Sequence, residues 1–365
     1  MIRVAPAFWA RPPGLLSELL LPVGTGWEVA GRLRYSLARP YCPPVPVVCV
    51  GNLVAGGSGK TPVALALAGP LVSRGIAVHF VTRGYGGRLG GPVRVDPGSH
   101  DAAAVGDEAL LLAAQAPCWV ARDRVHGVRA AVAAGAQIVV LDDGFQNPGI
   151  AKTLSFLVVD AVYGFGNGRV IPAGPLRESR ARGLARAHAV VLLGADAQPG
   201  CSEPLGIGQT LPVLHAALRP VAGERLARRR LLAFAGIGRP EKFFSTLREL
   251  GAELVGTRSF PDHHPYRAGE IGRLLRAAER AEARLVTTAK DIVRVPPQTR
   301  ATIEVLQVEI RWADPAPVVE LLAGVVGAQK LLCRENRGEN AVVSGQDRHS
   351  GTARGPGPEA MNTDS

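Results

Sequence analysis

An α/β fold built on a parallel sheet is what this 365-residue sequence predicts, and three features predict it. Apolar, β-branched runs alternate with helix-forming stretches. A glycine-rich turn separates the first such run from a helix. A later run ends in two adjacent aspartates, Asp142 and Asp143. Residues 45–50 read as a buried strand, 51–59 as a loop, and 61–67 as the opening of a helix. Pro62 falls in the first turn of that helix, where no amide donor is missed. Further strands are expected at 77–82, 137–141, 154–160 and 189–193, with alanine-rich helical sequence between the first two of these. The pattern changes between Pro212 and Arg230, where Arg225, Arg228, Arg229 and Arg230 cluster. Beyond it a second α/β unit is expected, with strand 231–235, turn 236–240, a helix from Glu241, strand 252–256, helix 268–283 and strand 284–288. From Arg334 onward the chain is polar and rich in Gly, Asn, Ser and Arg, which predicts a disordered tail.

Composition narrows the partners. A chain of this length holds two cores, and 47% hydrophobic with 20% charged residues is a globular balance. The formal net charge of +11 points to nucleic acid, an anionic membrane or a phosphorylated substrate. Aromatics are only 5% and no base-stacking motif is present, so no nucleic-acid partner is expected. Nothing in the sequence predicts a protein partner. Cys42, Cys49, Cys118, Cys201 and Cys333 form no Cys-x-x-Cys pair, which predicts reduced thiols rather than a zinc site or a disulfide framework. No apolar run reaches the roughly 18 residues a membrane-spanning helix needs. The N-terminal stretch through Phe8, Trp9, Pro12, Pro13 and residues 14–22 has two readings. It is an interfacial helix, with Leu15, Leu16, Leu19 and Leu20 on one face and Trp9 and Trp27 near the headgroups, or a helix packed on the chain's own core.

The run Val54, Ala55, Gly56, Gly57, Ser58, Gly59, Lys60, Thr61 lies between a strand and a helix, as an ATP-binding phosphate loop requires. Glycines let backbone amides turn inward on the β-phosphate, and the helix N-terminus adds partial positive charge. Lys60 then reaches the β- and γ-phosphates, and Thr61 offers its hydroxyl to Mg2+. The usual pattern has glycine six residues before the lysine, where this chain has Val54. Asp142, at the end of an apolar strand, stands where phosphate-loop proteins keep the aspartate of the magnesium shell. The predicted class is therefore an α/β, P-loop NTPase-type parallel sheet with a second, smaller α/β domain, and ATP and Mg2+ as cofactors.

Three nucleotide-handling classes compete. A GTPase needs a Lys-x-Asp base-specificity motif, and Thr288-Ala289-Lys290-Asp291 lacks the intervening residue. A partition or signal-recognition ATPase places a lysine before the paired glycines, where this chain has Ala55. A small-molecule kinase needs neither, and a nucleotide-gated switch that phosphorylates nothing is the second reading. Gly106-Asp107-Glu108 either caps a helix or supplies a general base for an attacking hydroxyl. Asp262-His263-His264 is a surface cluster, a metal site short of ligands, or an imidazole brought to a cleft.

Together these blocks resemble the tetraacyldisaccharide 4'-kinase family of the lipid A pathway. The resemblance is carried by Val50-Gly51-Asn52-Leu53 into Gly56 to Pro62, Arg83-Gly84-Tyr85-Gly86-Gly87, and Gly106-Asp107-Glu108. Leu141 to Gln146, Gly174-Pro175-Leu176-Arg177-Glu178 and the stretch from Phe260 to Tyr266 continue it in the family's order, over roughly residues 5–325. Val54 in the loop is similar to the family's own version. The resemblance implies transfer of the γ-phosphate of ATP to the 4'-hydroxyl of an acylated glucosamine disaccharide 1-phosphate, giving lipid IVA. It implies catalytic roles for Asp107 as base, His263 as its partner, and Lys60 and Arg177 on the transferring phosphoryl group. Thr61, Asp142 and Glu178 would organise Mg2+, and Arg83, Gly84, Tyr85, Gly86, Asp143 and Gln146 would line the substrate cleft. The basic run Arg177, Arg180, Arg182, Arg186 then meets a phosphorylated substrate and an anionic membrane surface, which places the chain peripherally on the cytoplasmic face of the bacterial inner membrane. The implied layout is a membrane-surface segment at 1–40, a P-loop kinase core at 41–215, a linker at 216–230, a smaller α/β domain at 231–330 and a tail at 331–365. Two positions depart from the family pattern: Asn147 replaces a histidine, and Ala289 a glutamate.

Overall fold

The computed structural model describes residues 6–194, 207 and 211–327; the tail expected from 331, with Cys201 and Cys333, lies outside them. Twelve strands are β1 (Val47–Gly51), β2 (Val78–Thr82), β3 (Val93–Arg94), β4 (Cys118–Val120), β5 (Ile138–Asp142), β6 (Leu154–Asp160), β7 (Ala189–Leu193), β8 (Val213–Val221), β9 (Arg230–Ala235), β10 (Glu253–Ser259), β11 (Arg284–Thr288) and β12 (Glu304–Trp312). The helices are α1 (Leu15–Leu19), α2 (Leu21–Ser36), α3 (Lys60–Val72), α4 (Ala102–Val105), α5 (Asp107–Ala113), α6 (Arg124–Ala133), α7 (Arg180–Leu184), α8 (Pro240–Glu249), α9 (Ala268–Arg280), α10 (Ala289–Ile292) and α11 (Pro297–Arg300). Among the described residues a further helix covers 316–327.

The strand order is β10-β9-β11-β12-β8-β7-β6-β1-β5-β2-β4-β3. From β8 to β4 the pairs are parallel, and so are those from β10 to β12. The two parallel stretches meet where β12 pairs antiparallel with β8. β12 does both jobs in series: residues 304–306 pair with β11 and residues 307–312 with β8. β1, β2, β5 and β7 are buried along their whole length because helices cover both faces. This is why they read as unbroken apolar runs. Val48, Val50, Phe80 and Val140 point into one core, and Val47, Cys49, Val81 and Leu141 into the other. The second unit has its own pair of cores, around Phe244 and Leu247 on one face and Phe234 and Tyr266 on the other. Helix 316–327 returns to the first unit, where Val318, Leu322 and Val325 join the cluster of Val48 and Leu67.

Strands 154–160, 189–193 and 284–288 match their expected bounds, and β1, β2, β5, β9 and β10 differ by one to three residues at an end. Four of the described strands are absent from the expectation: β3 and β4, only two and three residues long, and the longer pair β8 and β12. β8 and β12 are partly exposed, so their apolar residues are interrupted by polar ones and the run signal is lost. The stretch expected as a linker holds the end of β8 and the 3-10 turn Gly223–Leu226.

The N-terminal segment splits between the two readings. Trp9, expected near the headgroups, is instead buried, and its Nε1 donates to the carbonyl of Pro172 at 3.1 Å. Ser17 donates to Ala173 O at 2.8 Å, and Tyr35 to Phe145 O at 2.8 Å, so one side of α1 and α2 is bonded to the chain's own loops. The other side is bare. Leu15, Leu16, Leu19, Val23, Trp27, Leu33 and Leu37 are all more than half exposed. Among the described residues no helix is long and apolar enough to cross a membrane.

Candidate active site

The site forms at the carboxyl ends of β1, β2 and β5, where a parallel sheet presents loops and helix N-termini together. β1 ends at Gly51 and the phosphate loop follows, entering α3 at Lys60. Gly56 and Gly59 take left-handed backbone angles of +126° and +81°, which turn the loop. Val54 needs no such freedom. It forms an isolated antiparallel bridge with Leu176, flanked by hydrogen bonds from Ala55 N to Pro175 O (2.8 Å) and from Arg177 N to Leu53 O (2.7 Å). The phosphate loop is thus stitched to the segment that carries Arg177.

Thr61 Oγ1 donates to Asp142 Oδ2 at 2.9 Å, while Asp142 Oδ1 is buried with no hydrogen-bond partner. Burial pushes the Asp142 carboxyl up, and the Glu108 carboxylate adds to this. A hydroxyl beside a bare carboxylate oxygen is a hard donor pair that fits Mg2+, which takes few protein ligands and completes its shell with phosphate and water oxygens. No cluster of three or more His, Cys, Asp or Glu suited to a metal occurs among the described residues. Glu178, whose Oε2 is likewise buried with no hydrogen-bond partner, makes no direct contact with this pair. Its Oε1 accepts from Arg186 at 2.7 Å and from Gln146 at 3.2 Å, and no hydrogen bond or ion pair links it to Thr61 or Asp142.

Asp143, at φ +55°, turns its carboxylate toward two cations. Arg177 Nη1 lies 2.8 Å from Oδ1 and Lys60 Nζ 3.9 Å from the same atom. Burial would raise this carboxyl, but Lys60 and Arg177 outweigh it and hold it well below the usual range. Gln146 braces Arg177 (3.3 Å) and donates to Asn52 O at 2.8 Å, so it sits inside the network rather than facing the cleft alone. Trp27 Nε1 donates to the carbonyl of Arg177 at 3.2 Å, which ties α2 to the same segment. Of the basic run, Arg182 and Arg186 lie over the Tyr35 ring and Arg180 over Phe165.

Asp107 opens α5 and is 2% exposed. His263, from the second unit, places Nδ1 2.9 Å from Asp107 Oδ2. Burial alone would raise the Asp107 carboxyl; the hydrogen bond from His263 with the Lys290 and Arg294 cations holds it below the usual range. Tyr85 lies against His263 at 5.1 Å between ring centroids. Gly84 and Gly86 have φ of +66° and +81°, and a Cβ on Gly84 would fall 2.7 Å from Val105 O, so the loop from Arg83 to Gly86 lies directly on the approach to Asp107.

Three further residues belong to this region, and of them only Asp291 stood in a sequence motif. Arg124 is buried on the N-terminal turn of α6 with Nε unpaired, close enough to Asp142 and Asp143 to feel both. Arg294 is 5% exposed and reaches Asp107 Oδ2 at 3.5 Å and Asp291 Oδ1 at 2.6 Å. Asp291, fully buried, also accepts from Tyr266 (2.8 Å), Gly236 N (2.9 Å) and Thr288 (2.6 Å). Thr288-x-x-Asp291 is the one local hint, a side-chain cap at the end of a strand. Asn147 accepts from Gly149 N at 2.8 Å, a turn contact that uses no proton-carrying group.

The tetraacyldisaccharide-1-P 4'-kinase family model matches residues 16–327. The chain belongs to this family. A tetraacyldisaccharide 4'-kinase of Rhodospirillum centenum is 56% identical over 331 residues, spanning 89% of this chain and 97% of that one. One from Paramagnetospirillum magneticum is 52% identical over 320 residues, spanning 87% and 97%. A crystal structure of Aquifex aeolicus LpxK in complex with ATP is similar in fold, with a TM-score of 0.69 and 25% identity over 85% of this chain and 99% of that one. The expected class, a P-loop-type parallel sheet in an ATP-using kinase family, is therefore the class found.

Proposed function

We propose that the protein transfers the γ-phosphate of ATP to the 4'-hydroxyl of a tetraacylated glucosamine disaccharide 1-phosphate, forming lipid IVA. The observation that carries this reading is the Asp107–His263 contact of 2.9 Å. A nucleotide switch has no use for a buried, ionised carboxylate braced from a second unit; an acceptor hydroxyl does. In this reading the hydroxyl oxygen attacks the γ-phosphorus, its proton passes to Asp107, and ADP leaves. Asp107 is a weak base, which suits a loose transition state in which little proton transfer is needed before the P–O bond breaks. Lys60 and Arg177 stabilise the charge on the transferring group. Thr61 and Asp142 would hold Mg2+, which neutralises the phosphate oxygens when bound. We assign Arg83 to Gly86 and Asp143 to the cleft between nucleotide and sugar, and the two units of 41–215 and 231–330 to its walls. Incubation with ATP labelled at the γ-position and an acylated disaccharide 1-phosphate in detergent is expected to move label into the lipid. Label found only in free phosphate would overturn the assignment.

We further propose that the bare face of α1 and α2 lies on an anionic membrane, on the cytoplasmic face of the inner membrane, where a lipid substrate is collected. Leu15, Leu16, Leu19 and Val23 face solvent while Arg11, Arg32, Arg34 and Arg39 are exposed on the same segment, a combination that suits an interfacial helix. Replacing Leu15, Leu19 and Val23 together by Asp is expected to lower association with phosphatidylglycerol vesicles at least about tenfold, from the transfer free energy of three apolar side chains. ATP affinity should not move. Undiminished co-sedimentation would place the membrane contact elsewhere.

A further inference from the structure

Lys290 stands where the second unit meets Asp107. It is carried by α10, the short helix at the carboxyl end of β11, whose first turn is capped by the Thr288 side chain accepting from Asp291 N. Its Nζ lies 3.3 Å from His263 Nε2, 3.5 Å from Asp262 Oδ1 and 3.8 Å from Glu108 Oε1. Resting on the reading of Asp107 as the base, we propose that Lys290 is a positioning residue of the phosphate-transfer site. Its ammonium donates to Nε2 of His263 and fixes the imidazole as the neutral tautomer whose Nδ1–H points at Asp107.

Donors and acceptors decide the tautomer. An ammonium has three donors and no acceptor, so a ring nitrogen that bonds it must present a lone pair. Asp262 Oδ2 is the competing partner for Nε2, but at 3.7 Å it is beyond hydrogen-bond range. A neutral ring with its lone pair at Nε2 carries its proton at Nδ1, 2.9 Å from Asp107 Oδ2. The opposite tautomer would set an N–H against the ammonium and a lone pair against the carboxylate. A doubly protonated ring would set a cation 3.3 Å from Lys290, with Arg294 already 3.5 Å from the same Asp107 oxygen. The charged groups around the pair are thus Asp107, Glu108 and Asp262 against Lys290 and Arg294, with the Tyr85 ring on the remaining side.

The backbone that carries the ring is held in place as well. His263 has a left-handed backbone, φ +59°, and its N–H donates to Gly236 O at 3.1 Å. Such a conformation in a residue with a Cβ persists where the surroundings over-determine it. Burial acts to neutralise Lys290, but Asp107, Glu108 and Asp262 together raise its pKa, so the ammonium is retained. It is also among the cations that hold Asp107 ionised.

Nitrogen-15 spectra of the full chain, labelled at histidine and assigned with a His263→Asn variant, test the tautomer directly. The wild-type ring is expected as the Nδ1–H form. Lys290→Met is expected to give a mixture with the Nε2–H form and to lower kcat about tenfold, the loss of one charge-assisted hydrogen bond, with KM for ATP unchanged. The acid limb of the kcat profile should move to higher pH, and Lys290→Arg should restore both ring and rate. A wild-type Nε2–H ring would overturn the proposal, as would an unaltered ring in Lys290→Met. If Lys290→Met does not fold, the wild-type spectrum and Lys290→Arg still decide. A ring that changes as expected without any change in kcat or its pH profile would keep the Lys290 contact and overturn the base assignment of Asp107 instead.

Discussion

Asp107→Asn is expected to lower kcat about a thousandfold, within the range seen for removal of a general base, while ATP affinity stays near wild type. Asparagine keeps the volume and one acceptor for His263 but takes no proton from the attacking hydroxyl. Asp107 sits at the start of α5 and is not part of the phosphate loop, which is why binding and chemistry should separate. Stability should fall as well. Arg294 and Lys290 lose one of the anions around them, and breaking a buried pair costs at most about 3 kcal/mol here, because Asp291, Asp262 and Glu108 remain, read from urea unfolding. The pH dependence follows from the direction of the shift. Asp107 has a folded pKa below its unfolded value, so its contribution to stability is complete above the unfolded value of about 3.9 and is lost as pH falls through the folded one. Turnover loses its base over the same acid window, so any limb at neutral pH belongs to another group. Near-wild-type turnover in Asp107→Asn would end the base assignment.

Lys60→Met is expected to cost about a thousandfold in the single-turnover rate of phosphoryl transfer, the upper range for removing one charged donor from a transition state. Lys60 is 9% exposed, so its charge acts in a site where water screens it little. Methionine keeps most of the stem, which leaves the helix entry at α3 in place. The variant also strips Asp143 of the first of the two cations that hold its carboxyl down. Arg177, 2.8 Å from the same oxygen, remains, so Asp143 stays paired and the loop should stay folded. A single-turnover rate close to wild type would mean that Lys60 only shapes the loop.

The sequence by itself determined the parallel sheet, the phosphate loop and the identity of most polar residues around it. The reason is local. A strand buried on both faces must be a continuous apolar run, as 189–193 is, and a phosphate loop must place its glycines, lysine and threonine within a few residues of one another. Glu178 was legible as part of a motif but not in its setting, because its salt bridge to Arg186 arises only when α7 folds back beside it. Trp9 gave the same signal as an interfacial aromatic and is buried, because the loop at Pro172, 163 residues away, closes over it. Tertiary structure alone decided how Lys290 and Arg294 join Asp107 and His263, whose pairing only the family resemblance had implied. The Asp107–His263 contact spans 156 residues, and no local pattern encodes which residues a second unit will present. It decided the meaning of Val54 too. That position breaks the usual glycine pattern, yet it lies in an extended bridge to Leu176, where a side chain packs and a glycine's freedom has no use.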